Sequence, residues 1–150
     1  MSHTYTSQLL HCVFSIKGRR PLIKPELQQR LWPYMGGIAR DNKMKALSIG
    51  GVDDHVHLLL SLPATLSISK AMQLIKGGAS KWVHDTFPEY QDFAWQEGYG
   101  AFSIGISDVA KTTAYIENQV RHHARRDFQT EFLTFLKKHG IEYDERYIWD

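Results

Sequence analysis

Cysteine is nearly missing from this chain: Cys12 is the only one in 150 residues. No internal disulfide is possible, so the fold has to rest on a buried core, for which this length suffices. Cys12 alternates with apolar neighbours and reads as a buried structural thiol. Long hydrophobic runs are absent too. None approaches the ~20 residues that cross a bilayer. The start, Met1-Ser2-His3-Thr4-Tyr5, has neither the charged nor the apolar region of a signal peptide. From these absences a cytoplasmic chain with no membrane partner is expected. No CxxC or HExxH pattern occurs, which argues against a structural zinc site. Without an internal repeat, low-complexity tract or linker-like stretch, residues 1–150 read as one domain. Excess charge is also lacking, with a formal net charge of only +2.

The charges that are present cluster. Lys17, Arg19, Arg20, Lys24 and Arg30 stand close together against Glu26. Lys111, Arg121, Arg125 and Arg126 stand against Glu117, with His122 and His123 among them, and the tail from Glu142 to Asp150 is acidic. Basic clusters suit phosphate contact, although a cluster taken alone is more often a solvated face. Lys17, Arg19, Arg20, Arg121, Arg125 and Arg126 are the candidate phosphate contacts.

Hydrophobic periodicity predicts the elements in order. Leu9 to Ile16 is apolar and β-branched enough for a buried strand, and Lys17 to Pro21 follows as a basic loop. Pro25 suits a helix start, and Leu27, Leu31, Tyr34 and Ile38 recur at helical spacing through Glu26 to Arg40; Pro33 should kink this helix, and Gly36-Gly37 should weaken its end. Lys45 to Val52 and His55 to Leu62 read as two strands of a hairpin, with Gly50-Gly51 as a candidate bulge. A helix is predicted from Ser67 to Phe87, a fourth strand within Phe93 to Ile106, and helices at Asp108 to Arg125 and Phe128 to His139. The first six elements match a split βαβ, ferredoxin-like α+β fold: an antiparallel sheet with helices on one face and an additional C-terminal tyrosine-bearing helix. The opposite face is expected to be free for a ligand or a partner subunit.

Chemistry concentrates at two places. In a strand, alternate side chains share a face, so His55 and His57 stand side by side while Val56, Leu58 and Leu60 point the other way. Such a pair can bind one divalent metal, or can simply be two hydrogen-bonded imidazoles. Far downstream, Tyr115 and Gln119 lie at i and i+4 on one helical face. A phenol is a poor nucleophile near neutral pH because its pKa is about 10. It would need a metal-polarised phosphate or a base, which requires this helix to pack against the histidine strand. Together these residues supply a metal, a third ligand and a hydroxyl nucleophile, the parts that break a phosphodiester bond. The aromatic segment Phe93 to Phe102 could stack unpaired bases, but it fits a core strand better.

His55-Val56-His57-Leu58-Leu59-Leu60, preceded by Gly50-Gly51 and Asp53-Asp54, resembles the histidine-hydrophobic-histidine (HUH) motif of single-tyrosine transposases of the insertion-sequence 200/605 type. Tyr115-Ile116-x-Asn118-Gln119 resembles their tyrosine helix. The likeness extends from the strand near His11 through Leu74 to Gly77 and Trp95 to Tyr99, and on to Tyr143 to Tyr147. It implies a homodimer acting on single-stranded DNA near hairpins. Cleavage would be metal-dependent and would pass through a covalent 5′-phosphotyrosine, with transfer to a second end. The resemblance makes Tyr115 the nucleophile and His55, His57 and Gln119 the ligands of Mg²⁺ or Mn²⁺. It also suggests that the tyrosine helix docks on the partner chain. Two alternatives stand beside this reading: a housekeeping relative acting on repeated palindromes, and a non-catalytic ferredoxin-like nucleic-acid-binding module.

Overall fold

The computed structural model describes residues 3–123 and 127–149, the side chains of residues 122 and 123 excepted. The elements run β1 (Leu9–Ser15), α1 (Pro25–Asp41), β2 (Lys45–Gly51), β3 (His55–Ser61), α2 (Ile68–Thr86), β4 (Gly100–Ile104), α3 (Val109–Glu117), α4 (Gln119–His123) and α5 (Phe128–Lys138). The four strands form one sheet in the order β2-β3-β1-β4, and every pairing is antiparallel. This is the ferredoxin-like, split βαβ arrangement. Among the described residues no helix is long and apolar enough to cross a membrane.

The main core lies under α1 and α2. Leu10, Cys12 and Phe14 of β1 and Val56, Leu58 and Leu60 of β3 point to that side. They meet Leu27, Leu31, Met35 and Ala39 of α1 and Ala71, Met72, Ile75, Ala79 and Val83 of α2. The α1 stripe turns through Met35 and Ala39 in place of Tyr34, with Ile38 half-buried and packed at its edge; Tyr34 is exposed and stacks on Trp82. Pro33 is accommodated inside α1 without ending it. Ser67 caps α2 by accepting from the Lys70 N–H at 3.1 Å. Burial holds the Cys12 thiol up at about 12, which keeps it protonated and inert, as the sequence suggested.

Three local expectations shift. The irregularity in β2 falls between Ala46 and Ser48, not at Gly50-Gly51. The helix expected from Asp108 to Arg125 breaks at Asn118 into α3 and α4. The sequence also offers the strand Leu9 to Ile16 or its neighbours for pairing across a two-fold axis; β1 is an inner strand paired on both sides, and the edges of the described sheet are β2 and β4.

The largest difference concerns the sheet's second face, which is not bare. Val13 and Phe102 on that side pack with Phe128, Phe132 and Leu136 of α5 into a second apolar cluster. The physical reason is visible in the strands. β1 is buried along its whole length, as a strand covered on both faces must be. The histidine pair lies under this second layer.

A candidate metal and tyrosine site

The Nε2 atoms of His55 and His57 approach the same carboxylate. Glu131 Oε1 of α5 lies 2.9 Å from His57 Nε2 and 3.3 Å from His55 Nε2. Gln119 Oε1, from the first residue of α4, lies 3.2 Å from His55 Nε2. The Tyr115 hydroxyl donates to the other Glu131 oxygen, Oε2. The two histidines, Gln119 and Glu131 are buried, and Tyr115 is half-buried.

Each histidine is also held from behind. His55 Nδ1 lies 2.7 Å from Asp54 Oδ1, and His57 Nδ1 lies 2.8 Å from His11 Nε2. A metal-binding imidazole is fixed in this way, with one nitrogen tethered and the other aimed at the ion. Burial, assisted by the neighbouring His57, pushes the His11 imidazole down to about 3, so it stays neutral and can accept the His57 Nδ1–H. His55 behaves oppositely. Burial opposes its charge, but hydrogen bonds to Asp54 and Glu131 outweigh burial and raise it to about 9. Without a metal, His55 is an imidazolium between two carboxylates.

The donor set fits a divalent ion. One nitrogen from each histidine and one Glu131 oxygen all lie within 4.8 Å of one another. Adjacent donors around an octahedral ion with ~2.1 Å bonds stand about 3.0 Å apart, which matches the 2.9, 3.2 and 3.3 Å separations here. Oxygen donors beside imidazole suit Mg²⁺ or Mn²⁺.

Local structure explains the placement. β3 turns His55 and His57 to one face, and β1 puts His11 and Val13 beside them through the Val13–His57 register. The Gly50 backbone lets α3 press down on β2: a Cβ there would stand 2.9 Å from the Ile116 carbonyl oxygen. Asn118 breaks the helix between Tyr115 and Gln119, yet both side chains still reach the histidines.

His55, His57, Gln119 and Tyr115, expected from the sequence, thus come together, and they do so within a single chain. In this single chain the Tyr115 ring centroid lies 5.7 Å from that of its own His57. Of the expected phosphate contacts, Lys17, Arg20 and Arg121 are exposed. Arg20 pairs with Asp92 at 2.6 Å, and the Arg19 guanidinium lies 5.6 Å over the Trp149 ring. Their loop is tied to the site's margin, because the Ile16 N–H donates to the Asp54 carbonyl oxygen. Arg125 and Arg126 lie outside the described residues. His11 and Glu131 were missed. The signal for Glu131 was an acid on the apolar stripe Phe128, Phe132 and Phe135, where a charge has no place without a partner.

Residues 4–119 match the family model described as "Transposase IS200 like". The chain belongs to the IS200-like transposase family. Among its relatives in this family, the transposase for insertion sequence element IS200 of Salmonella typhimurium is 26% identical over 134 residues, covering 89% of this chain and 88% of that protein. The ISDra2 transposase TnpA of Deinococcus radiodurans is 25% identical over 121 residues, covering 77% of this chain and 86% of its own. Solved structures support the fold. A Deinococcus radiodurans chain described as a transposase superimposes with a TM-score of 0.65 at 22% identity, covering 79% of this chain and 96% of that one. A REP-associated tyrosine transposase bound to a REP hairpin gives 0.61 at 17% identity, covering 82% and 73%. The matched segment of this IS200-like chain holds His55, His57, Tyr115 and Gln119, while Glu131 lies beyond it.

Proposed function

We propose that this transposase cuts and rejoins single-stranded DNA through a covalent 5′-phosphotyrosine at Tyr115. The observation that carries the reading is the single carboxylate, Glu131, that accepts the Tyr115 hydroxyl and also contacts both histidines. Nucleophile and candidate metal ligands are thereby brought to one point. His55, His57, Gln119 and Glu131 would hold the ion, with Asp54 and His11 orienting the imidazoles. When bound, a divalent ion would polarise and orient the scissile phosphate.

The Tyr115 oxygen attacks phosphorus and its proton leaves to Glu131 or solvent. The bond from phosphorus to the 3′-oxygen breaks, and that oxygen takes up a proton as a 3′-hydroxyl. A second 3′-hydroxyl attacking the phosphotyrosine reverses the step. Each step exchanges one phosphoester bond for another, so rejoining needs no nucleotide cofactor. Lys17, Arg19, Arg20, Arg121, Arg125 and Arg126 are the proposed phosphate contacts. A hairpin-bearing strand is the proposed partner, consistent with the hairpin bound by the structural neighbour. A homodimer in the cytoplasm completes the proposal.

The test is a labelled single strand carrying a hairpin, incubated with Mg²⁺ or Mn²⁺. A denaturant-resistant protein–DNA adduct should form, and it should vanish in Tyr115→Phe and in chelator while binding persists. Adducts formed by the phenylalanine variant would sink the assignment of the nucleophile, and full cleavage in chelator would sink the metal.

A further inference from the structure

A cleft of about 580 Å³ opens between the end of β4, α3 and α5 and reaches the Tyr115 side chain. Its size falls within the ~300–1,000 Å³ of small-ligand sites. Lys111 and Thr112 of α3 lie one helical turn before Tyr115 and line it with that residue. Across from them, Phe135 and Lys138 of α5 lie one and two turns beyond Glu131. The two helix faces therefore lead away from the hydrogen bond between Tyr115 and Glu131. His11 also lines the cleft, and it holds His57 at 2.8 Å. The Phe135 ring is half-buried, stacked on Phe102 at 5.4 Å and T-shaped to Tyr115 at 5.8 Å and to His11 at 4.9 Å.

We propose that this cleft seats the unpaired nucleotide adjoining the scissile phosphate, with Phe135 against the base and Lys111 and Lys138 on flanking phosphates. The inference rests on the single-strand chemistry proposed above and names the subsite that chemistry uses. An aromatic face between cations is the combination by which proteins hold unpaired strands: stacking takes any base, and the cations follow the backbone. Lys111 and Lys138 come from different elements and are both exposed, whereas Asp108 is the only carboxylate among the described residues of the lining. Asp108 can accept from a base N–H. A purely apolar ligand would leave these charges unused, and a duplex is far too wide for the cleft.

The experiment measures binding of a short fluorescein-labelled oligothymidylate, and of an abasic strand of equal length, in chelator across a salt series. Phe135→Leu should weaken oligothymidylate binding about tenfold, the scale of one base–aromatic stack, and leave the abasic strand unchanged. Lys111→Gln and Lys138→Gln should weaken both strands and flatten the salt slope by about 0.7 for each phosphate left without its cation. Affinities and slopes indistinguishable from wild type in all three variants would overturn the proposal. Adduct formation by the wild-type chain, assayed in parallel, keeps the two readings apart: adducts with unaffected variants refute the cleft alone, whereas variant effects without any adduct refute the nuclease reading alone.

Discussion

Glu131 is the residue on which the site turns. It is buried on α5 with one oxygen toward the histidines and the other toward Tyr115. As a metal ligand it should be costly to neutralise. Glu131→Gln is expected to lower metal affinity, read by calorimetry, by at least about tenfold, the loss that even an outer-shell partner carries. Adduct formation should fall with it. Faster cleavage by this variant would show that the carboxylate blocks the phosphate's place instead of building the site. His55 adds a pH dependence in the metal-free protein. Its folded pKa, about 9, lies above the ordinary 6.5. A raised pKa means the folded state holds the proton more tightly, so the contribution is fully present below 6.5 and is lost as pH rises through about 9. Denaturant midpoints in chelator should fall across that window, and Asp54→Asn should flatten the fall. A midpoint that rises over the same range would contradict the assignment. A metal must displace this proton, so its affinity should increase with pH.

At the scale of elements, the closeness of α3 to β2 decides where Tyr115 sits. Gly50 is the contact point, and the neighbour that a methyl group would strike is the Ile116 carbonyl oxygen, a backbone atom that cannot swing aside. Gly50→Ala should therefore lift the tyrosine helix. We expect a loss of about 1–3 kcal/mol in unfolding free energy, the usual cost of overpacking. A larger proportional loss in adduct yield should accompany it, because Ile116 adjoins Tyr115, the proposed nucleophile. Retained cleavage with full stability would mean that α3 is not held by this contact. Gly78 faces α1, where a Cβ would stand 2.9 Å from Ile38 Cδ1, the movable end of a side chain and so a softer contact than the one at Gly50.

At the scale of the molecule, one chain contains every residue of the proposed site. Mixed subunits provide the check. Combining Tyr115→Phe chains with His57→Ala chains, and allowing exchange, should give no adducts, because each chain lacks one member of its own site. Recovered activity in the mixture would mean that the tyrosine helix crosses to the partner, as the family resemblance had suggested. The second helical layer sharpens the question, since α5 brings Glu131 over the same histidines and seals them from solvent.

What the sequence determined by itself is whatever depends on short-range periodicity and residue chemistry. The apolar runs Leu9 to Ile16 and His55 to Leu62, helical spacing from Glu26 and Ser67, and the order of the elements were enough to specify the ferredoxin-like sheet. The histidine pair was readable from spacing within one strand, and Tyr115 and Gln119 from their four-residue spacing, although Asn118 places them on two successive helices. Tertiary structure alone decided what meets across the chain. Glu131 contacts His57 from 74 positions away, and His11 does so from 46. Neither distance leaves a periodic trace. The break at Asn118 and the place of Tyr115 beside His57 are visible only in three dimensions, and the filling of the second face follows from how the aromatic stripe of α5 packs on Val13 and Phe102. That packing is non-directional burial of apolar area, which selects a partner surface only once the sheet exists to offer one.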